Sequence, residues 1–273
     1  MPVIDSTARV AGSAQLADDV EIGPYCIVGP QVELKSGVRL ISHASIAGVT
    51  TIGERATVYP FVSLGTAPQS VGYRGEPTKL TVGNDCQFRE GVTVSTGTVK
   101  GGGVTAIGDR CFMMANAHVA HDCSVGHNVT FANSATLAGH VLVGDNVFIG
   151  GLTAVHQFNR IGEGAMVAGA AGVSADIIPF GYAIGPYPAR LAGINVIGLR
   201  RGGHARADIH RVRKAYRLLF HGKGLFAERL QTAQEEFAAD PLVLKILDFV
   251  RAKRPRQLMM ATEIEPADSD DEI

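Results

Sequence analysis

The chain has 273 residues, 46% of them hydrophobic, enough for one large domain or for a large and a small one. A formal net charge of -1 argues against a nucleic-acid binder or a membrane-surface protein as a whole. With no tryptophan, 6% aromatics and 33 glycines, the composition suits narrow aliphatic layers and tight corners better than a sandwich or a doubly wound domain.

From the start of the chain every sixth residue is aliphatic, from Ile4, Val10 and Leu16 through Val58 and Leu64. The pattern resumes at Ile107 and runs through Met113, Val119, Val125 and Phe131 to Val173, with Val82, Phe88 and Val94 between the two blocks. The residue two places earlier is apolar or small, as at Val20, Cys26, Val38, Ala117 and Val141. A spacing of two puts both side chains on one face of a strand. Each hexad therefore predicts a short strand followed by a corner. Three hexads per turn give a triangular prism rising about 4.8 Å per coil. Glycines such as Gly23, Gly53, Gly108, Gly126 and Gly144 follow the large apolar residue, where a bend is expected to want them. All four cysteines, Cys26, Cys86, Cys111 and Cys123, take the small inward position, which reads as buried thiols and not as a disulfide or metal framework.

Two segments break the count and are expected to project as loops, residues 66–79 and residues 99–105. The expected β domain spans residues 1–190. Helical periodicity then predicts a small α-helical domain over 191–256. Its stripes are Ile209, Val212, Tyr216, Leu219 and Phe220, then Phe226, Leu230 and Phe237, then a helix opened by Pro241. Residues 257–273 read as a tail, acidic and disordered from Glu263. From Arg190 to Arg256 there are 15 Lys and Arg against 6 Asp and Glu, either solvated helix faces or a surface for phosphates or an acidic partner. No basic start followed by an apolar run is visible and no apolar stretch is long enough to span a bilayer, so a cytoplasmic protein is expected.

Five of the nine histidines, His118, His121, His127, His140 and His156, fall within one stretch. In an 18-residue coil, His121, His140 and the His156-Gln157 pair are expected to line one ridge at about 5 Å steps. Any one of them alone could be an ordinary surface histidine. Asp122 follows His121, and a carboxylate-held imidazole is a general base. Acyl transfer from a thioester needs such a base and donors for the oxyanion. Gly139, beside His140, could offer a backbone N–H. His118 and His121 also have a metal-like spacing, but residues three apart in a strand face opposite sides, and no metal is expected.

The runs Asn116–Cys123, Ala135–His140 and Gly150–Phe158, with Gly75–Thr78, Gly101–Gly103 and Asn195–Arg201, resemble the acyl-ACP:UDP-N-acetylglucosamine O-acyltransferase family of lipid A synthesis. The resemblance covers nearly the whole chain. It implies a mainly β fold, a left-handed parallel β-helix of hexapeptide repeats with a small C-terminal α-helical domain, assembled as a homotrimer without cofactor. It implies that His121 is the general base, Asp122 its orienting partner and Gly139 the oxyanion donor. His118, His140, His156 and Gln157 would shape the sugar and acyl site. Asn195 and Arg201 would hold the uridine diphosphate, with Arg200 also in the substrate-binding set. Gly169 would leave the acyl groove open for a longer 3-hydroxyacyl chain. The basic helical end would dock the acyl carrier protein.

Gln69, Ser70 and Gly72 of the first loop match positions near the sugar. The family often has Asp and Lys where Ser70 and Gly72 stand. The acceptor is therefore left between the 3-hydroxyl of UDP-N-acetylglucosamine and the 3-amine of a 3-amino analogue. Three other readings are a zinc-dependent carbonic anhydrase-like prism, the later N-acyltransferase of the same pathway, and a purely structural prism.

Overall fold

The computed structural model describes residues 1–252 and 256–261. Its short strands fall into three sheets of eleven, nine and eight strands, and successive strands pass to successive sheets. Each sheet is one face of a three-sided column, a left-handed parallel β-helix. Thr130 lies beside Phe148 and Phe131 beside Ile149, one coil of 18 residues further on. Rungs are joined by bonds such as Thr130 N–H to Val147 O (2.9 Å) and Ala132 N–H to Ile149 O (2.8 Å).

The six-residue period becomes the core. On the first face Val58, Phe88, Met113, Phe131, Ile149 and Val167 stack in one column, each fully buried. All four cysteines are buried free thiols, as their small inward position implies. Ile4, Val10 and Leu16, in the first coil, are less covered than the inward residues of the coils that follow. Phe131→Ala is expected to cost about 3–5 kcal/mol, the sum of lost burial and a cavity that stiff neighbouring rungs cannot close. Denaturant unfolding of the variant checks this.

The corners correct one expectation. Gly23, Gly53, Gly108, Gly126 and Gly144 do not supply the left-handed bend. That conformation falls two residues later, on non-glycine residues such as Tyr25, His43, Asp122, His140, Asn146 and Phe158 (φ 56, 50, 60, 62, 58 and 66°). Left-handed backbone costs a non-glycine residue about 1–2 kcal/mol. An inter-coil bond from the same residue offsets it, as from His43 N–H to Pro24 O (2.9 Å) or Asn146 N–H to His127 O (2.8 Å). The glycines answer crowding instead. A Cβ on Gly23 would lie 1.9 Å from the Ile41 carbonyl oxygen, and one on Gly126 would lie 2.3 Å from Asp145 Oδ1.

Both excursions leave and rejoin the column in register. Residues 67–78 run between the strands Ser63–Thr66 and Lys79–Val82, and Val58 still pairs with Phe88 across them. Residues 96–103 include a 3-10 turn, Val99–Gly101, and Phe88 still pairs with Met113. The first face continues past residue 190 in an antiparallel hairpin, Gly181–Ile184 with Arg190–Ile194.

Among the described residues four helices follow: α1 (Val196–Arg201), α2 (Arg206–His221), α3 (Phe226–Glu236) and α4 (Pro241–Arg251). The expected stripe of α2 is buried. Asp240 caps α4, accepting from Leu242 N–H and Val243 N–H, with Pro241 at its first position. Arg160 ties α4 to the third face. It pairs with the buried Asp176 (2.9 Å), donates to Phe249 O (2.9 Å) and lies 4.0 Å from the centre of the Phe249 ring. Residues 257–261, read from sequence as tail, pair with the column instead, and Met259 is buried. The acidic stretch Glu263–Ile273 lies outside the described residues.

Candidate active site

Asp122 occupies a left-handed corner between the second and third faces, and His140 and Phe158 occupy the same corner one and two coils on. Their side chains project outward in a stack. His140 lies flat on Phe158, with ring centres 4.4 Å apart and an 8° interplanar angle. His121 meets His140 edge-on at 5.1 Å.

His121 Nδ1 donates to Asp122 Oδ2 at 2.8 Å. The Asp122 side chain is fully buried, and that of His121 is 16% exposed. With Nδ1 as donor, the free lone pair of a neutral imidazole sits on Nε2. Asp122 is itself held by the second loop. Thr98 N–H donates to Oδ1 (2.7 Å) and Thr98 Oγ1 to Oδ2 (2.6 Å), while Asp122 N–H donates to Thr105 Oγ1 (2.9 Å). Gly101 closes over the carboxylate. A Cβ there would lie 2.0 Å from Asp122 Cγ.

Gly139 lies under the His121 ring, and a Cβ on it would stand 2.5 Å from His121 Cε1. The corner's rung bonds run from Ala138 N–H to Val155 O and from His140 N–H to His121 O, on either side of the Gly139 N–H. His118 sits on the second face with Nδ1 2.7 Å from Thr93 Oγ1. Donor atoms of His121, Asp122 and His140 lie within 4.8 Å of one another, a set that could hold a metal ion. Such an ion would compete with the Thr98 and His121 bonds that already engage the carboxylate.

Burial pushes the pKa of His118 below the ordinary histidine value, and Thr93 only partly opposes it. Burial also lowers His140, against the raising effect of Asp122 and with a further lowering from His121. Both rings are therefore neutral in the folded protein near pH 7. The unfolded chain takes up their protons first, near pH 6.5. Stability from these two groups is complete above that value and is lost as pH falls towards their depressed folded values. The melting temperature is expected to drop on acidification below about pH 6.5, and a His118→Asn, His140→Gln variant to show a shallower drop. An unchanged slope in the variant contradicts this.

The structure separates other residues that the sequence grouped. Phe158, not His156 or Gln157, continues the His121–His140 ridge, because the corner residues repeat at 18 and Gln157 falls one position short. His156 and Gln157 instead meet Arg256. His127 lies at another corner, accepting from Asp109 N–H. Gln69 and Gly72 are exposed on the first loop, where Ser70 N–H donates to Pro68 O. Gly169 is exposed, and a Cβ there would come 3.3 Å from the Gly151 carbonyl oxygen. Asn195 caps α1 and also donates to Gly164 O (2.9 Å), while Arg200 and Arg201 are exposed on that helix. Thr93, Thr98, Gly101, Thr105, Phe158 and Arg256 were not singled out from sequence as site residues. Only Gly101 and Phe158 lay inside a recognised motif. A groove of about 540 Å³ lies elsewhere, between α4 and the third face, lined by Leu142, Arg160, Glu163, Lys245 and Phe249 among others.

Residues 176–259 match the family model described as UDP N-acetylglucosamine O-acyltransferase, domain 2, and residues 105–139 match the bacterial transferase hexapeptide. An acyl-[acyl-carrier-protein]–UDP-N-acetylglucosamine O-acyltransferase of Azorhizobium caulinodans is 59% identical over 94% of this chain and 94% of its own. One from Rhizobium johnstonii is 46% identical over 96% and 98%. Among solved structures, LpxA from Acinetobacter baumannii superposes with a TM-score of 0.89 at 37% identity, covering 94% of this chain and 99% of its own. The UDP-N-acetylglucosamine acyltransferase of Campylobacter jejuni gives 0.89 at 36%, over 95% and 100%. With relatives this similar along nearly its full length, the chain belongs to the acyl-[acyl-carrier-protein]–UDP-N-acetylglucosamine O-acyltransferase family and is an acyltransferase.

Proposed function

We propose that this chain moves a 3-hydroxyacyl group from acyl carrier protein to the 3-hydroxyl of UDP-N-acetylglucosamine, the first step of lipid A biosynthesis. The observation that carries this reading is the His121–Asp122 pair, 2.8 Å apart on an outward corner, with the Gly139 backbone directly beneath the imidazole. His121 Nε2 takes the proton from the sugar hydroxyl as its oxygen attacks the thioester carbonyl. Asp122 fixes the ring and stabilises the imidazolium that forms. The Gly139 N–H donates to the oxyanion of the tetrahedral intermediate. Its collapse expels the carrier's thiolate, which the imidazolium can protonate. No covalent acyl-enzyme is needed.

His118, His140, His156, Gln157 and the first-loop residues Gln69, Ser70 and Gly72 shape the sugar and acyl site. Asn195, Arg200 and Arg201 serve the uridine diphosphate, where arginine's permanent charge suits phosphate. The open backbone at Gly169 fits a long acyl chain. Assembly as a homotrimer would bring a neighbouring column to the outward His121 corner. Among the described residues no helix is long and apolar enough to cross a membrane.

The test is an assay with 3-hydroxyacyl carrier protein and two acceptors, UDP-N-acetylglucosamine and its 3-amino analogue. Ester formation on the first, faster than amide formation on the second, is expected. Exclusive amide formation overturns the choice of acceptor, and no transfer to either overturns the function.

A further inference from the structure

After α4 the chain returns to the column. Asp176 N–H donates to Gln257 O (2.8 Å), Met259 N–H to Asp176 O (2.8 Å) and Leu191 N–H to Met260 O (3.1 Å). This strap holds Arg256 over the corner next to Phe158. Arg256 Nε donates to Gln157 O at 3.0 Å, and its terminal nitrogen lies 2.9 Å from His156 Nδ1. His156 Nδ1 also lies 3.3 Å from the same Gln157 oxygen.

These distances set two tautomers of His156 against each other. With a proton on Nδ1, the ring would donate to Gln157 O. With the proton on Nε2, Nδ1 is an acceptor. A guanidinium only donates, and it stays charged at any pH a protein meets. Arg256 donates one N–H to the Gln157 oxygen and points another at His156 Nδ1. The Nδ1–H form would set one N–H against another at 2.9 Å, whereas the Nε2–H form presents a lone pair to the guanidinium.

We propose that Arg256 is a positioning residue that holds His156 as the Nε2–H tautomer, making it a hydrogen-bond donor to an oxygen of the bound sugar or acyl group. The role of His156 in substrate binding rests on the function proposed above. The tautomer itself does not. A segment distant in sequence thereby selects which hydrogen bond the site can offer, which is a contribution to specificity and not to proton transfer.

The first arm of the test is nitrogen NMR of the full-length protein labelled at histidine, at about pH 8, where imidazoles are generally neutral. His156 is expected to show Nε2–H in the unmodified protein and to shift towards Nδ1–H in Arg256→Ala, once no donor faces Nδ1 and the ring can donate to Gln157 O. Nδ1–H in the unmodified protein, or no change in the variant, overturns the proposal. Either reading is independent of whether the chain transfers acyl groups.

The second arm is a double-mutant cycle. Arg256→Ala is expected to lower kcat/KM roughly tenfold, the size of one hydrogen bond. In a His156→Ala background the same change is expected to cost nothing further. An equal loss in both backgrounds would mean that Arg256 only anchors the strap, through Gln157, and would overturn the proposal. Absence of transfer by the unmodified protein would instead remove the functional reading and leave the first arm to decide the tautomer.

Discussion

His121→Ala is expected to lower kcat by roughly 10² to 10⁴-fold, the range for loss of a positioned general base. The reaction requires one tautomer of His121. Asp122 accepts from Nδ1, so the basic lone pair stands on Nε2, away from the carboxylate. Alanine leaves the thioester and the sugar in place but removes the atom that accepts the hydroxyl proton. KM is expected to change little, because the proposed nucleotide contacts at Asn195 and Arg201 are untouched. The fold should survive, since the ring rests on Gly139 and His140 and not in the apolar core. Steady-state kinetics on the purified variant, with a melting curve as control, decides the matter. Activity within a few-fold of the unmodified protein would remove His121 from the mechanism.

Gly101→Ala is expected to act almost as strongly, without touching any group that meets substrate. The added methyl would lie 2.0 Å from Asp122 Cγ and 2.3 Å from each carboxylate oxygen, far inside contact distance. Either the carboxylate or the turn must move. In both cases the two Thr98 bonds that aim Asp122 are broken or stretched. Displacing a catalytic group's support by about 1 Å costs on the order of 10²-fold. The loss is expected in kcat, beside a modest drop in melting temperature, because the turn Val99–Gly101 buries no residue while the buried Asp122 carboxylate loses part of its hydrogen bonding. Thr98→Ser, which can keep both bonds, should retain activity. If Gly101→Ala retains full turnover, the aim of Asp122 does not matter to the reaction.

The prism could be read from the chain because its period and its burial are the same thing. Val58, Phe88 and Met113 had to stack once every sixth side chain pointed inward. The His121–Asp122 pair was legible for a similar reason, since adjacent residues at a corner need no knowledge of the loops. What could not be read was register at the corners. The left-handed residue is fixed by a bond to the coil before it, so Phe158 rather than Gln157 stacks on His140, a difference of one position that spacing alone left open.

Thr98 was hidden for another reason. It lies in an excursion, where the hexad count stops, and its approach to Asp122 depends on how the turn at Val99–Gly101 folds back. Helix α1 is six residues long with Gly198 inside it, too short to show a period. Arg256 reaches His156 from 100 positions away, through backbone pairings that no local pattern foretells.

The stack formed by Asp122, His140 and Phe158 occupies discrete slots, each set by one complete turn of the chain. A group on such a ladder cannot be nudged by half a step. Neighbouring slots are locked to one another through the backbone, so a shift in one would drag every rung above it. Chemistry on this scaffold therefore changes by exchanging the occupant of a slot or by lengthening a loop that hangs between slots. Substrate preference on such a frame is quantised, and new preferences arrive in jumps rather than by gradual drift.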